Sequence, residues 1–117
     1  MARYDIQLVG EADALAEHLD GEILRGSVSA SLEESVTHTI GDAKMLVRTY
    51  ERYSGFSGSR VSLSFAILAV GGQLSVSAVS TGGSKAMFFK MDTVGEGTFL
   101  DKAVAALSSF PQSAQPA

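Results

Sequence analysis

A strict two-residue alternation, followed by three glycine-bearing turn signals, limits this chain more than any other feature. Over residues 27–40, Val28, Ala30, Leu32, Glu34, Val36, His38 and Ile40 stand against Ser27, Ser29, Ser31, Glu33, Ser35, Thr37 and Thr39. That is the period of a strand whose two faces meet different surroundings. Gly41 with Asp42 suits a two-residue hairpin turn, Gly55 to Ser59 a longer connection, and Gly71 with Gly72 another tight one. Three turns imply four consecutive antiparallel strands. Tight closure sets Val36 opposite Val47, Thr49 opposite Phe65 and Ile67 opposite Val76. One face then gathers Val28, Ala30, Leu32, Val36, Met45, Val47, Tyr53, Val61, Leu63, Phe65, Ile67, Leu74, Val76 and Ala78, and this is the expected core face.

The flanks add one strand and two helices. Tyr4, Ile6 and Leu8 alternate with Arg3, Asp5 and Gln7, and Gly10 ends the run. Between Glu11 and Arg25, Ala12, Leu15, Ala16, Leu19 and Ile23 recur at helical spacing with acids on the other face. Thr98 is placed to cap a second helix, whose stripe is Phe99, Leu100, Ala103, Val104, Leu107 and Phe110, and Pro111 stops it. Ala86 to Met91 reads either as a further short strand or as a continuation of the fifth. The expected fold is an α+β two-layer sandwich, β-α-β(4-5)-α, with a mostly antiparallel sheet and both helices on one face. This order is similar to that of the TATA-binding-protein-like and helix-grip architectures, which serve DNA binding, ligand carriage and catalysis alike. Residues 1–111 are expected to form one domain and 112–117 a mobile tail.

Composition excludes several classes of function. The 117 residues are 45% hydrophobic and 19% charged, an ordinary globular balance. Without cysteine there is no disulfide, thiol nucleophile or zinc-thiolate site. A net charge of −4, with acids concentrated on the first helix, argues against nucleic acid as a partner. No apolar run approaches membrane-spanning length, and the N-terminal segment lacks a signal-like apolar core, so a cytoplasmic location is expected, without membrane association, metal or cofactor.

Four segments carry a resemblance: GEILRGSVSASLEES at 21–35, VRTYERYS at 47–54, STGGSKAMFFK at 80–90 and GEGTFL at 95–100. Together they resemble a family of short bacterial proteins, domain of unknown function 6054, over nearly the whole chain. The resemblance implies a small single-domain cytoplasmic protein. It assigns no activity and no site residue.

Chemistry has four candidate locations. The run Ser80 to Lys85 is rich in amides and hydroxyls, yet it is no nucleotide loop, since Lys85 is followed by Ala86 where a P-loop needs Ser or Thr. With Thr81, Gly82, Gly83, Ser84 and Lys85 at one sheet edge, Arg25, Arg52 and Arg60 are expected to converge on a small anion. The competing explanation is a solvated turn. Glu34 and Glu51, diagonal on adjacent strands of the expected core face, are the candidate acid and base of a small hydrolase or isomerase. The ordinary alternative is that the sheet overhangs the helices there, or that Arg60 or Lys85 neutralises them. His38 lies four residues from Glu34, about 13 Å along a strand, too far to share one reacting group with it.

The third candidate is the second sheet face, where serines replace the usual long charged residues. Ser29, Ser31, Ser62, Ser64 and Ser77, with Leu46, Arg48, Tyr50 and Leu68, form the expected interface of a homodimer. A merely wet sheet is the alternative. Lastly, Met87, Phe88, Phe89 and Met91 either line a cavity for an apolar ligand or pack into the core. The reading that joins these features is a binding or interaction module, uncertain as an enzyme and leaning against it. It self-associates through its serine-lined face, with a small anionic or amphipathic ligand near the glycine loops.

Overall fold

Gly71 and Gly72 take φ of 59° and 81°, the left-handed pair that joins two strands in two residues, and Val70 closes directly on Gln73. Gly41, at φ 56°, does the same with Asp42 between Ile40 and Ala43. The computed structural model describes residues 2–25, 27, 29–53, 60–82 and 96–112. Within them run β1 (Ala2–Val9), α1 (Ala12–Leu24), β2 (Ser31–Ile40), β3 (Ala43–Tyr53), β4 (Arg60–Val70), β5 (Gln73–Gly82) and α2 (Glu96–Ser108). The five strands form one antiparallel sheet in the order β1-β5-β4-β3-β2. The α+β sandwich expected from the alternation and the two amphipathic stretches is therefore present.

Both helices lie on the same side of the sheet. Leu15, Ala16, Leu19 and Ile23 of α1 and Phe99, Ala103, Ala106 and Leu107 of α2 are fully buried against Val61, Leu63, Phe65 and Ile67 of β4 and Leu74, Val76 and Ala78 of β5. Burial of each valine, leucine, isoleucine or phenylalanine among them stabilises by roughly 1.5–3 kcal/mol, so this seam holds the two layers together. His18 joins the helices from the flank. Its Nε2 lies 2.9 Å from the Ala106 carbonyl oxygen, to which it donates, and its ring packs on Phe110. Among the described residues, no helix is long and apolar enough to cross a membrane.

One register differs from expectation, and two strands turn over with it. Thr49 pairs with Ser64, not Phe65, because β3 and β4 close through Tyr53 and Arg60 with six residues between them. A connection one residue shorter gives the expected pairing, and one residue of slip exchanges the faces of a strand. Leu46 and Tyr50 are consequently buried under the helices, with Arg48 and Arg52 on the same side, while Met45, Val47, Thr49, Glu51 and Tyr53 face away. The β2–β3 register itself is the expected one, Val36 opposite Val47. So β2 follows β3, and Glu34, Val36 and His38 leave the expected core face for the open one. A register shift between Leu32 and Glu34 returns Leu32 to the helix side, opposite Tyr50.

Smaller differences concern the ends of elements. The second helix begins at Glu96, ahead of Thr98. Gln112 accepts the Val9 backbone N–H at 2.7 Å, and the rest of the expected tail, 113–117, lies outside the described residues. Ala86 to Met91, and with it the choice between a separate strand and a continuation, lies outside the described residues.

Candidate interaction surface

Strand alternation divides the charged side chains of β3 and β4 between two environments. On the helix side, Asp20 of α1 reaches down to β3. Arg48 Nη1 donates to both its oxygens, at 3.2 and 3.0 Å, and the Tyr50 hydroxyl donates to Oδ1 at 2.5 Å. Tyr50 also stands edge-on to Phe65, with ring centroids 5.9 Å apart. Burial, and then the bond to Asp20, pushes the Tyr50 hydroxyl far above its ordinary pKa, so it stays a neutral donor. Toward the Gly41 turn, Lys44 Nζ meets Asp13 at 3.0 Å, a second tie between α1 and β3. Sequence reasoning missed this clamp because it faced Arg48 and Tyr50 the other way. A signal existed: Lys44 and Arg48 are about 13 Å apart along a strand, and Asp13 and Asp20 about 10 Å along a helix.

The cations expected around an anion are divided: Arg60 stands apart from Arg25 and Arg52, which both lie near Lys102, where burial and then these guanidiniums lower the lysine's pKa. Arg52 stacks on Phe99 at 4.3 Å from the ring centre, and burial lowers its pKa. Arg25 pairs with Glu22 at 2.9 Å, and its carbonyl accepts Lys102 Nζ at 3.0 Å. Arg60 is on the opposite face, over the Tyr53 ring and ion-paired with Glu51, with Glu33 3.9 Å away. Thr81, opposite Ser62, and Gly82, opposite Val61, end β5. Gly83, Ser84 and Lys85 lie outside the described residues, as do Met87, Phe88, Phe89 and Met91. Arg52 and Arg60 point to opposite faces since Arg52 pairs with Val61 and Arg60 with Tyr53, neighbouring rungs of one ladder.

Glu34 and Glu51 do share a face, but it is the open one. Glu51 is ion-paired with Arg60 and accepts a hydrogen bond from Ser62 at 3.3 Å; Glu34, opposite Thr49, is exposed. Neutralisation by arginine thus describes the Glu51 carboxylate. Among the described residues, no group of three or more histidines and carboxylates is disposed to hold a metal ion.

The open face is the part of the molecule with surface to spare. Ladder by ladder it carries Ile40, Ala43 and Val70, then His38, Met45, Leu68 and Ser75, then Val36, Val47, Ala66 and Ser77, then Glu34, Thr49, Ser64 and Val79. Large apolar side chains stand in water here: Ile40 is 82% exposed, Leu68 48% and Met45 40%. His38, Ile40, Ala43, Met45 and Leu68 border an open depression of about 430 Å³. Of the expected interface set, Ser62, Ser64, Leu68 and Ser77 lie on this face, and Ser31, opposite Glu51, joins them. Ser29 instead accepts the Tyr53 backbone N–H at 3.2 Å. Leu46, Arg48 and Tyr50 are withdrawn from the expected interface set by the register change. Their places go to Met45, Val47 and Thr49, whose hydroxyl bonds Ser64 at 3.0 Å.

Most charge on this face is paired internally, the exposed Glu34 excepted. Arg3 pairs with Asp5 at 3.2 Å, Asp5 also accepts Ser77 Oγ at 2.6 Å, and Arg60 serves Glu51 and Glu33. The middle of the face, from Val47 and Thr49 across Ser64 and Ala66 to Ser77 and Val79, carries no charge. No curated protein and no solved structure matches the chain. A family model does match, over residues 1–111, and the chain accordingly belongs to the family of unknown function DUF6054.

Proposed function

We propose that this protein is a non-enzymatic interaction module that self-associates by packing the open faces of two sheets against each other. The observation that carries this reading is the uncharged, partly apolar centre of a sheet face that neither helix covers. Ser62, Ser64, Ala66, Ser75 and Ser77 are short enough to let a second sheet approach to the usual separation of about 10 Å. Around them Met45, Val47, Leu68 and Val70 supply the apolar contact. Five strands of about ten residues present on the order of 800 Å², the contribution of one partner to a standard interface. A surface whose centre carries no charge favours a like surface over a strongly charged partner, and a twofold interface must be complementary to itself.

The anion-binding part of the expectation gains no such support, since Arg25, Arg52 and Arg60 are divided among Glu22, Phe99 and Glu51. Nor does the carboxylate pair, with Glu51 already neutralised. Sedimentation equilibrium over a concentration series tests the proposal: a dimer is expected, and Leu68→Glu, at an exposed position, is expected to dissociate it. A monomer at every concentration, or a dimer that tolerates both Leu68→Glu and Val47→Glu, overturns it.

A further inference from the structure

Residues 32–40 of the edge strand β2 are all exposed, and among the described residues no strand pairs beyond it in the sheet order. Such an edge presents a row of free backbone donors and acceptors that another strand can take up. The opposite edge, β1, is partly closed, because Gln112 takes the Val9 N–H. We infer that a second copy of this chain docks on β2, antiparallel and edge to edge, with Val36 on the twofold axis. This is a contact separate from the face-to-face one, and where both form, two dimers join into a tetramer.

Backbone geometry and side-chain chemistry select that register together. Ile40 and Ala43 flank a two-residue turn and form its hydrogen-bonded pair, so Glu34, Val36, His38 and Ile40 turn their backbone groups toward β3. Ser35, Thr37 and Thr39 turn theirs outward. Two copies can then bond only in registers that set outward residues opposite one another. Centring on Val36 places Ser35 against the partner copy's Thr37, and the reverse, with two backbone hydrogen bonds in each pair. In the same register Glu34 stands opposite the second copy's His38 on the open face, twice by symmetry, flanking Val36 on Val36. Both are non-hydrogen-bonded positions, where opposed Cα atoms approach to about 4.5 Å and side chains meet most closely. An imidazole N–H donating to a carboxylate is a charge-assisted bond.

The neighbouring allowed registers lose this match. Centring on Thr37 sets Val36 against His38, centring on Ser35 sets Glu34 against Val36, and centring on Glu34 opposes two carboxylates. The irregularity at Glu33 ends the regular edge beyond Glu34, so pairing cannot slide far in that direction. The resulting dimer has one continuous sheet of ten strands, since each copy contributes five.

Charge reversal tests the register. His38→Glu, which opposes carboxylates in both symmetric pairs, is expected to raise the dimer dissociation constant about tenfold. The double variant Glu34→His with His38→Glu is expected to restore it to near the starting value. Hydrogen exchange supplies a readout that face packing does not move: the amides of Ser35 and Thr37 are expected to gain protection as concentration rises, and Thr37→Pro, tolerated on an outward-facing edge position, to abolish it. Failure of the double variant to restore association overturns the inference. So does a dimer in which Ser35 and Thr37 exchange as fast as in the dilute protein, an outcome that leaves the face-to-face reading standing. A dimer that survives Leu68→Glu and Val47→Glu and keeps its β2 protection separates the two the other way, and a strict monomer removes both.

Discussion

Tyr50 places a phenol where its ionised form has almost no support: under the helices, beside the Asp20 carboxylate, with only Arg48 opposing the shift. Its pKa rises from the ordinary 10.0, so the folded state holds a proton there that the unfolded chain gives up. Stability from this group is complete below pH 10 and declines as pH climbs above it, toward the raised folded value. Denaturant titrations above that pH are therefore expected to show a stability loss that flattens in Tyr50→Phe. At neutral pH the same variant is expected to cost about 1 kcal/mol, the worth of the lost hydrogen bond. Gly82 makes a contrasting demand. At φ 113°, any Cβ there stands 2.5 Å from the Arg60 carbonyl oxygen. Gly82→Ala is expected to lower stability by roughly 1–3 kcal/mol, read as a fall in the urea midpoint. Gly71→Asn, at φ 59° with open space around it, is the matched control and should be nearly neutral.

Among the elements, α1 is tied to β3 by two ion pairs of unequal worth. Asp20 and Arg48 are mostly covered and share the Tyr50 hydroxyl, whereas the Asp13 partner of Lys44 is 76% exposed. Lys44→Ala is expected to change stability by less than about 0.5 kcal/mol. Arg48→Ala should cost about 2 kcal/mol, because it strands a half-covered carboxylate, and paired urea titrations would resolve the difference. The elements themselves were legible from sequence because their signals are local. Alternation marked five strands, helical spacing marked α1 and α2, and Gly41, Gly71 and Gly72 fixed two turns. The β3–β4 register was not legible. β3 bears apolar or aromatic residues on both faces, Leu46 and Tyr50 against Met45 and Val47, so hydrophobicity supports either orientation. Only the length of the connection between Tyr53 and Arg60 decides, and glycine and serine suit five residues as well as six. The carboxylate pair and the interface set both inherited that choice.

At the scale of the whole molecule, the helices cover β1, β5, β4 and β3 and leave residues 32–40 of β2 exposed, within extents of 48 × 25 × 24 Å. The two proposed contacts use this asymmetry, one through the open face and one through the bare edge. Sequence legibility follows the same division. The layered α+β arrangement was readable because it needs only two amphipathic helices and one alternating sheet, but which face stayed open depended on a single register. The strand order has a kinetic consequence as well. β2 to β5 join through successive hairpins, while β1 reaches its place beside β5 from the far end of the chain, Ala2 against Ser80 and Val9 against Gln73. During synthesis β1 and α1 leave the ribosome first, yet the strand that receives β1 emerges last. The meander is expected to assemble early and β1 to dock late, so truncating Leu8 to Ala should speed unfolding and leave the refolding rate nearly unchanged.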